Sequence, residues 1–544
     1  MIFASFFEKN LCCKINIGEN NMKINYKIFG LVMFVMLVCC VSAASATDVD
    51  NITVTDDTPV IEINDVVDSV EDVESDEADE IVSTEPVTVT EENYGNYFDA
   101  DGYMTTARDL TFTGNFTSKS FGNFKINNAV TINAGEATFN NVGFNLLANG
   151  INLNGANFVY NTNDAFIYVD SNNAIVQNLN LNLVAPEDED FYGIFVEGAS
   201  NVQILNNVIT YNCSYVNANN YNHVIRVVGG SNVTVSRNNI TAYLPLKNVD
   251  FNQPYPSIYT DLVAGVAVQS SNDFKFTYNN LKVNVSNTDY GFPTLDALII
   301  VDSNNSDIAH NNITEIDPVT PEGDNNYLYA VDVYQCYDIT IDFNRIVLES
   351  KGGSIIPGTN NGTGTAYGIQ LTGGHTGVNI INNYIHTSNN GPNAGIYSQN
   401  FMGNTELNIV GNTIYVEGNA GDHPWSLVTG MELCDNYAYI EGNTITVLNK
   451  AVFNTDDNVY GISYSQWGPG DHTFKIYDNT VNVINGDYAV YLSNAKNSNV
   501  NENCLDTTNY CCDNAVVIDS GSNNDVSDNY CTQCSNCPDC QECH

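Results

Sequence analysis

Positive charge is what this sequence most lacks. Only 17 of its 544 residues are Lys or Arg, against 64 Asp or Glu, so the formal net charge is −47. Phosphate backbones are held by clustered cations, so nucleic-acid binding through a basic face is excluded. Other polyanions are repelled unless ions such as Ca²⁺ bridge the contact. Trp occurs twice and Met seven times. Beyond residue 46 no stretch nears the roughly 18 apolar residues of a membrane helix, so no transmembrane span is expected in the mature chain. The deficit in charge is filled by Asn, 85 residues in all. Together with Tyr, Val and Ile, and with few Lys and Glu, this composition points away from helices and toward strands joined by turns.

The N-terminal region reads as an export address. Lys23 and Lys27 precede an apolar run from Ile28 to Val41, and Ala44-Ser45-Ala46 supplies a small-residue cleavage site. We expect a start at Met22, cleavage after Ala46, and residues 1–46 to be an upstream extension plus signal peptide. The mature chain would carry 13 basic and 62 acidic residues. Export places it outside the cell or at the cell surface. Residues 47–92 hold 17 Asp or Glu, no Lys or Arg and no aromatic residue. Like-charge repulsion without apolar mass predicts an extended, disordered linker there.

From residue 93 to 530 the sequence repeats. Units such as YGIFVEGASNVQILNNVIT (192–210) and LDALIIVDSNNSDIAHNNIT (295–314) each contain two short apolar-alternating segments. The first carries an aliphatic residue at Ile194, Ile225, Val266, Leu298, Val331, Ile369, Ile396, Met431, Ile462, Val490 and Val516. The second carries an Asn at 178, 207, 238, 279, 311, 344, 383, 412, 443, 479, 503 and 529. In seven of the eleven coils the two lie 13 residues apart. Length variation therefore sits in one loop per repeat. Strands this short cannot bury a core alone, but stacked coil on coil they pair with their copies and share one interior. The spacing predicts an all-β, single-stranded parallel β-helix of about 12–15 coils. The segment 109–170 should add two or three of these. Asn207, Asn238, Asn279, Asn311, Asn344, Asn383, Asn412, Asn443, Asn479, Asn503 and Asn529 are expected to stack as a hydrogen-bonded ladder. They are expected to sit at a bend that exploits Asn tolerance of left-handed backbone angles.

The Asn-Asn-x-Ile-Thr repeats, the Gly-Ile-x-Val strands, the signal peptide and the acidity resemble the right-handed parallel β-helix proteins. More narrowly they resemble archaeal adhesin-like surface proteins of the pectin-lyase type, over roughly residues 105–530. That resemblance implies adhesion or display at a surface and no obligatory cofactor. It does not exclude polysaccharide processing, because one superhelix serves many activities. β-helix lyases resemble one another in Asp-held Ca²⁺ with a Lys or Arg base. Here Arg108, Arg226, Arg237 and Arg345 are scattered, and no Asp and Lys cluster accompanies them. Asn454-Thr455-Asp456-Asp457 and Gly373-Gly374-His375 appear in the reverse order to the polygalacturonase motifs. No catalytic residue is assigned.

A ligand patch is expected where the turn after the first strand lengthens in neighbouring coils. His375, Phe401, Tyr437, Trp467, Asp471 and His472 would line it, offering aromatic faces and hydrogen-bonding groups to neutral sugars. Tyr211, Tyr215, Tyr221, Tyr255 and Tyr259 in the longer insertions would form a second contact surface. Asn51, Asn115, Asn212, Asn232, Asn239, Asn284, Asn304, Asn312 and Asn361 head Asn-x-Ser/Thr sequons, glycan acceptors in an exported chain.

Eight of the 15 Cys fall after residue 503, and Cys531, Cys534, Cys537, Cys540 and Cys543 recur at every third position. In residues 531–544 this spacing suits disulfides, crosslinks to another molecule, or a metal. Isolated Cys213, Cys336 and Cys434 read as small buried fillers. The sequence thus predicts an exported, non-catalytic binder of cell-surface or wall carbohydrate, or of another cell. A glycosidase or lyase, and a wall component crosslinked through its Cys tail, are the alternatives.

Overall fold

The computed structural model describes residues 85–531, except 163–165, 187–188, 215–219, 249–262, 289–292, 319–326, 352–353, 356–361, 400–405, 421–426, 435–436, 451–457, 465–471, 487 and 509. The chain winds as a parallel β-helix in which each coil adds one strand to each of several columns. The first-strand column runs from Phe124–Ile126 to Val516–Asp519 and holds fourteen strands among the described residues. The aliphatic series from Ile194 to Val516 lies in one register, each residue level with the next. Every member up to Val490 is buried. Parallel in-register stacking brings like residues together, so a single repeated aliphatic position fills the interior along the whole axis.

The second predicted segment is two strands with a bend between them. Gln203–Leu205 and Val208–Asn212 are the first such pair. In the earlier coils the same path is one long strand, as in Asn152–Tyr160 and Ile175–Val184. Those coils are filled by phenylalanines: Phe116, Phe139 and Phe158 stack at centroid spacings of 5.0 Å. Large rings supply volume where the bend does not draw the walls together.

At the bend the Asn ladder is continuous. Asn207 donates both its backbone N–H and its Nδ2–H to Oδ1 of Asn238, at 3.0 and 2.9 Å. The second Nδ2–H of each ladder member caps a strand-end carbonyl one coil back, as Asn279 does on Val235 O at 2.8 Å. The same pattern repeats through Asn311, Asn344, Asn383, Asn412, Asn443, Asn479 and Asn503 to Asn529. The ladder begins where Leu179 N–H donates to Asn207 Oδ1 and ends where Asn529 Nδ2–H donates to Asp513 Oδ1.

Two expectations about the bend are corrected. The left-handed residue is the one before each ladder Asn: Asn206, Arg237, Tyr278, His310, Phe343, Asn382 and Asp478 all have φ between 51° and 58°. The ladder Asn itself needs both amide functions inside, which fixes it by hydrogen bonding rather than by backbone tolerance. Asn178 belongs to this outer column (φ 58°), and Leu179 holds the ladder position in its coil. The sheet also starts inside the segment assigned to the linker. Val87–Val89 pairs in parallel with Leu110–Thr117 and buries both valines, a Val-Thr-Val alternation legible in the sequence.

Strand Asn312–Asp317 turns Ile313, Glu315 and Asp317 inward. Glu315 is level with Val283 and Leu348, is fully buried, and its carboxyl oxygens have no hydrogen-bond partner among the described residues. Burial, and secondarily Asp317, pushes this carboxyl well above its ordinary 4.5. The folded chain therefore holds the proton to higher pH than the unfolded chain. The stability tied to Glu315 is full below about pH 4.5 and is lost as pH rises toward the folded value.

Two outcomes follow from this core. Asn344→Ala strands Asn311 N–H and Ile308 O and should cost about 3 kcal/mol in urea denaturation, whereas Asn178→Gly should change stability by less than about 1 kcal/mol. Glu315→Gln should gain on the parent chain as pH rises from 4 to 8, by at most about 1.4 kcal/mol per pH unit, read from paired denaturation midpoints.

Candidate functional site

The structure separates the residues of the expected turn patch. His375 is 2% exposed, with Nε2 3.3 Å from Ser398 Oγ. Its neighbour Thr376 bridges Tyr337, and Tyr337 pairs with Asn304, which bridges Asn272. His375 therefore continues an inward turn column with Ser271, Ser303 and Cys336. In that column Ser271 N–H donates to Ser303 Oγ at 3.1 Å and Ser303 N–H to Cys336 Sγ at 3.4 Å. His472 is fully buried against the Tyr464 ring, with centroids 4.7 Å apart. Both imidazoles therefore face the interior rather than solvent. Tyr437 is half-buried at the start of Tyr437–Glu441. Phe401, Trp467 and Asp471 lie outside the described residues, as do Trp425, Asp456 and Asp457.

Of the predicted tyrosine surface, Tyr211 is interior and donates to Phe191 O at 3.0 Å. Tyr221 is half-buried, and Tyr215, Tyr255 and Tyr259 lie outside the described residues. Cys213, Cys336 and Cys434 are buried, as expected of fillers. Desolvation pushes the Cys336 thiol up to about 12. Among the sequon residues, Asn115, Asn232, Asn239 and Asn304 are exposed, while Asn51 and Asn361 are outside the description. Cys531 is buried, with its sulfur within 4.8 Å of the sulfurs of Cys511 and Cys512, both of which are disulfide-bonded. Cys534, Cys537, Cys540 and Cys543 are not among the described residues.

The surface with the richest chemistry is one that sequence reasoning did not single out, the outer face of the first-strand column. Its inward positions are aliphatic, and the intervening positions carry functional groups. Tyr329, Tyr367 and Tyr397 form a stack along three successive coils, with centroids 5.7 and 4.5 Å apart and planes within 28° and 7°. Burial pushes all three phenols well above their ordinary value. Asp332 is level with Gln370, Gln370 is level with Tyr397, and Asp296 is level with Tyr329. Asp296 and Asp332 both act on the Tyr329 phenol. Further down the same face, Tyr192, Phe195 and Tyr221 surround the Arg226 guanidinium. The signal available in the sequence was the outward member of the first-strand units, which is polar or aromatic in most coils, as at Phe195, Arg226, Asp332, Gln370 and Tyr397, and apolar at Ala267 and Ile299.

A second exposed feature lies on the bend. Tyr278, His310 and Phe343 stack at 4.8 and 5.2 Å in the left-handed column where other coils place Asn, Asp, Glu, Arg or Gly. Bulky residues are strained there, and the ring contacts offset that cost.

Chemically, the first-strand face offers aromatic edges, an amide and buried carboxylates on a rigid sheet. That set suits a polyhydroxylated ligand, and its carboxylates are also the groups of glycoside chemistry. Among the described residues no helix is long and apolar enough to cross a membrane.

No family model matches the chain, and no curated protein does. Solved structures do, at low identity. PfbA, a surface adhesin of Streptococcus pneumoniae, is 12% identical over 70% of this chain and 89% of its own, with a TM-score of 0.39. The periplasmic alginate epimerase AlgG is 10% identical over 82% of this chain and 83% of its own, with a TM-score of 0.31. DFA-IIIase from Arthrobacter chlorophenolicus A6 is 10% identical over 70% and 87%, with a TM-score of 0.32.

Proposed function

We propose that the protein is an exported surface protein that binds carbohydrate on the outer face of its first-strand column and does not cleave it. The tyrosine stack of three successive coils carries this reading, with Gln370 beside it. Stacked rings held by rigid strands give a ligand apolar contact without an ordering cost, and the amide supplies direction. The export signal, the sequons and the acidic N-terminal segment fit a surface location. Ca²⁺ is not required by this arrangement, though it would let an acidic polymer approach so negative a chain.

The enzymatic alternative rests on one observation, that Asp296 and Asp332 are both buried and flank Tyr329. Paired carboxylates in adjacent coils are the groups a glycosidase uses. The crosslinked-wall alternative rests on the disulfides of Cys511 and Cys512 near Cys531.

One experiment separates the first two readings. The mature chain is incubated with wall and plant polysaccharides, with and without Ca²⁺, and both retention and chain length are measured. We expect retention of at least one polysaccharide at unchanged length, weakened at least tenfold by Tyr367→Ala. Shortened chains would contradict non-catalytic binding, and Asp332→Asn would then be expected to abolish the shortening. Retention of none would contradict carbohydrate binding.

A further inference from the structure

The four long strands that precede the first bend share an outward face that holds almost no charge. Leu110–Thr117, Thr131–Asn140, Asn152–Tyr160 and Ile175–Val184 are 8–10 residues long and stack in parallel. Together they contain one charged residue, Glu136, in a chain where 15% of all residues are charged. At about 3.3 Å per residue and about 4.8 Å per strand, the face measures about 30 Å by about 20 Å. Acids stand at its rim, where Glu91 accepts from Thr117 Oγ1 at 3.0 Å and Asp109 accepts the Thr131 N–H at 2.7 Å.

The fold does not impose this neutrality. The same register positions continue along the axis, and in later coils they carry ions. Lys275 stands in the column of Ile175, and Lys282 in that of Asn182. Arg345 stands in the column of Asn180, and Glu349 in that of Val184.

In place of charge the four strands present amides. Asn154 Nδ2 donates to Asn133 Oδ1 at 3.3 Å, and Asn154 Oδ1 accepts from Asn178 Nδ2 at 2.7 Å. Asn180 donates to Asn157 at 3.3 Å and Gln177 to Asn152 at 3.0 Å. These rails hold the side chains in the order of the strands. An amide that gives one N–H and one lone pair to a rail keeps one of each for a ligand.

That chemistry selects the partner. A polyanion would find no Lys or Arg on these strands. Val159 and Val184 are their exposed large aliphatic residues, too few for the apolar core of a protein interface. Neutral sugars meet amide donors and acceptors with no charge to desolvate. An open face covers one side of a lone sugar, whereas a pocket encloses most of a small ligand, so a soluble oligosaccharide gains little here. An ordered array of chains presents hydroxyls already fixed in place, and fixed rails then meet it with little loss of freedom on either side. We infer that the amide face is a binding surface for an ordered, insoluble neutral polysaccharide, separate from the tyrosine stack. This rests on the carbohydrate reading and adds a second contact with its own class of ligand.

The test uses the mature chain made without glycans, because the sequon residue Asn115 lies on this face. Adsorption isotherms are measured on microcrystalline cellulose and on chitin particles, with the soluble hexasaccharide of each as competitor. We expect adsorption to at least one of them, undiminished by a hundredfold excess of its hexasaccharide. Asn182→Lys and Val184→Glu introduce residues that the same columns already hold at Lys282 and Glu349, so the fold accepts them. Both should weaken adsorption at least fivefold, while Tyr367→Ala leaves it within twofold of the parent. Adsorption to neither particle would overturn the inference, and so would opposite effects of the Lys and Glu variants, which would signal charge steering. Adsorption lost in Tyr367→Ala but kept by both face variants would overturn it and leave the carbohydrate reading intact. A dimer in sedimentation that Asn182→Lys abolishes would assign the face to a second copy of the chain and overturn it too. Adsorption to particles without retention of any soluble polysaccharide would contradict the tyrosine stack as a site and support the amide face.

Discussion

The structure depends on one repeated exchange of hydrogen bonds. At each bend an Asn side chain accepts from the coil before it and caps a strand end within that coil. A solenoid must turn its backbone sharply inside a dry core, and every turned N–H and C=O has to be met there. Asn does this with one donor group and one acceptor group on a short stem. From Asn207 to Asn529 the same residue solves the same problem, and Leu179 and Asp513 close the two ends. Because each link joins adjacent coils, the ladder fixes axial register as well as the bend.

Fixed register has a functional consequence. With inward positions committed to aliphatic stacking and the bend committed to Asn, variation is confined to outward positions and to loops. Identical outward positions then fall into columns spaced like strands, about 4.8 Å apart. A change of residue at such a position alters the surface without disturbing the core. The tyrosine stack and the Arg226 cage are both built this way, on consecutive coils whose inward aliphatic position stays buried: Val331, Ile369 and Ile396 under the stack, Ile194 and Ile225 under the cage. The fold thereby provides a rigid template whose chemistry is set along one axis.

Much of this was legible in the sequence because repetition exposes it. The aliphatic column and the ladder Asn could be read by spacing, since each recurs with nearly the same separation. What repetition does not reveal is orientation. His375 and His472 looked like surface residues because His and lengthened turns suggest exposure, yet the turn column of Ser271, Ser303 and Cys336 faces inward. The left-handed residue could not be told from the ladder Asn, since in the Asn-Asn pairs, such as Asn206-Asn207 and Asn382-Asn383, either residue satisfies both requirements. Arg237, Tyr278, His310 and Phe343 settle the matter, because residues that cannot enter the ladder occupy the first place. The outer face of the first-strand column was missed for a related reason: its residues are as far apart in sequence as Arg226 and Ile299, and only register brings them together.

The Asn ladder holds the coils together through buried backbone amides, and hydrogen exchange of the mature chain with residue-level fragmentation reads those amides one by one. The backbone N–H groups of Asn238, Asn279, Asn311, Asn344, Asn383, Asn412, Asn443 and Asn479 should exchange among the slowest in the protein, at similar rates along the axis. Exchange of these amides as fast as that of exposed turn residues such as Asn149 would contradict the role of the ladder.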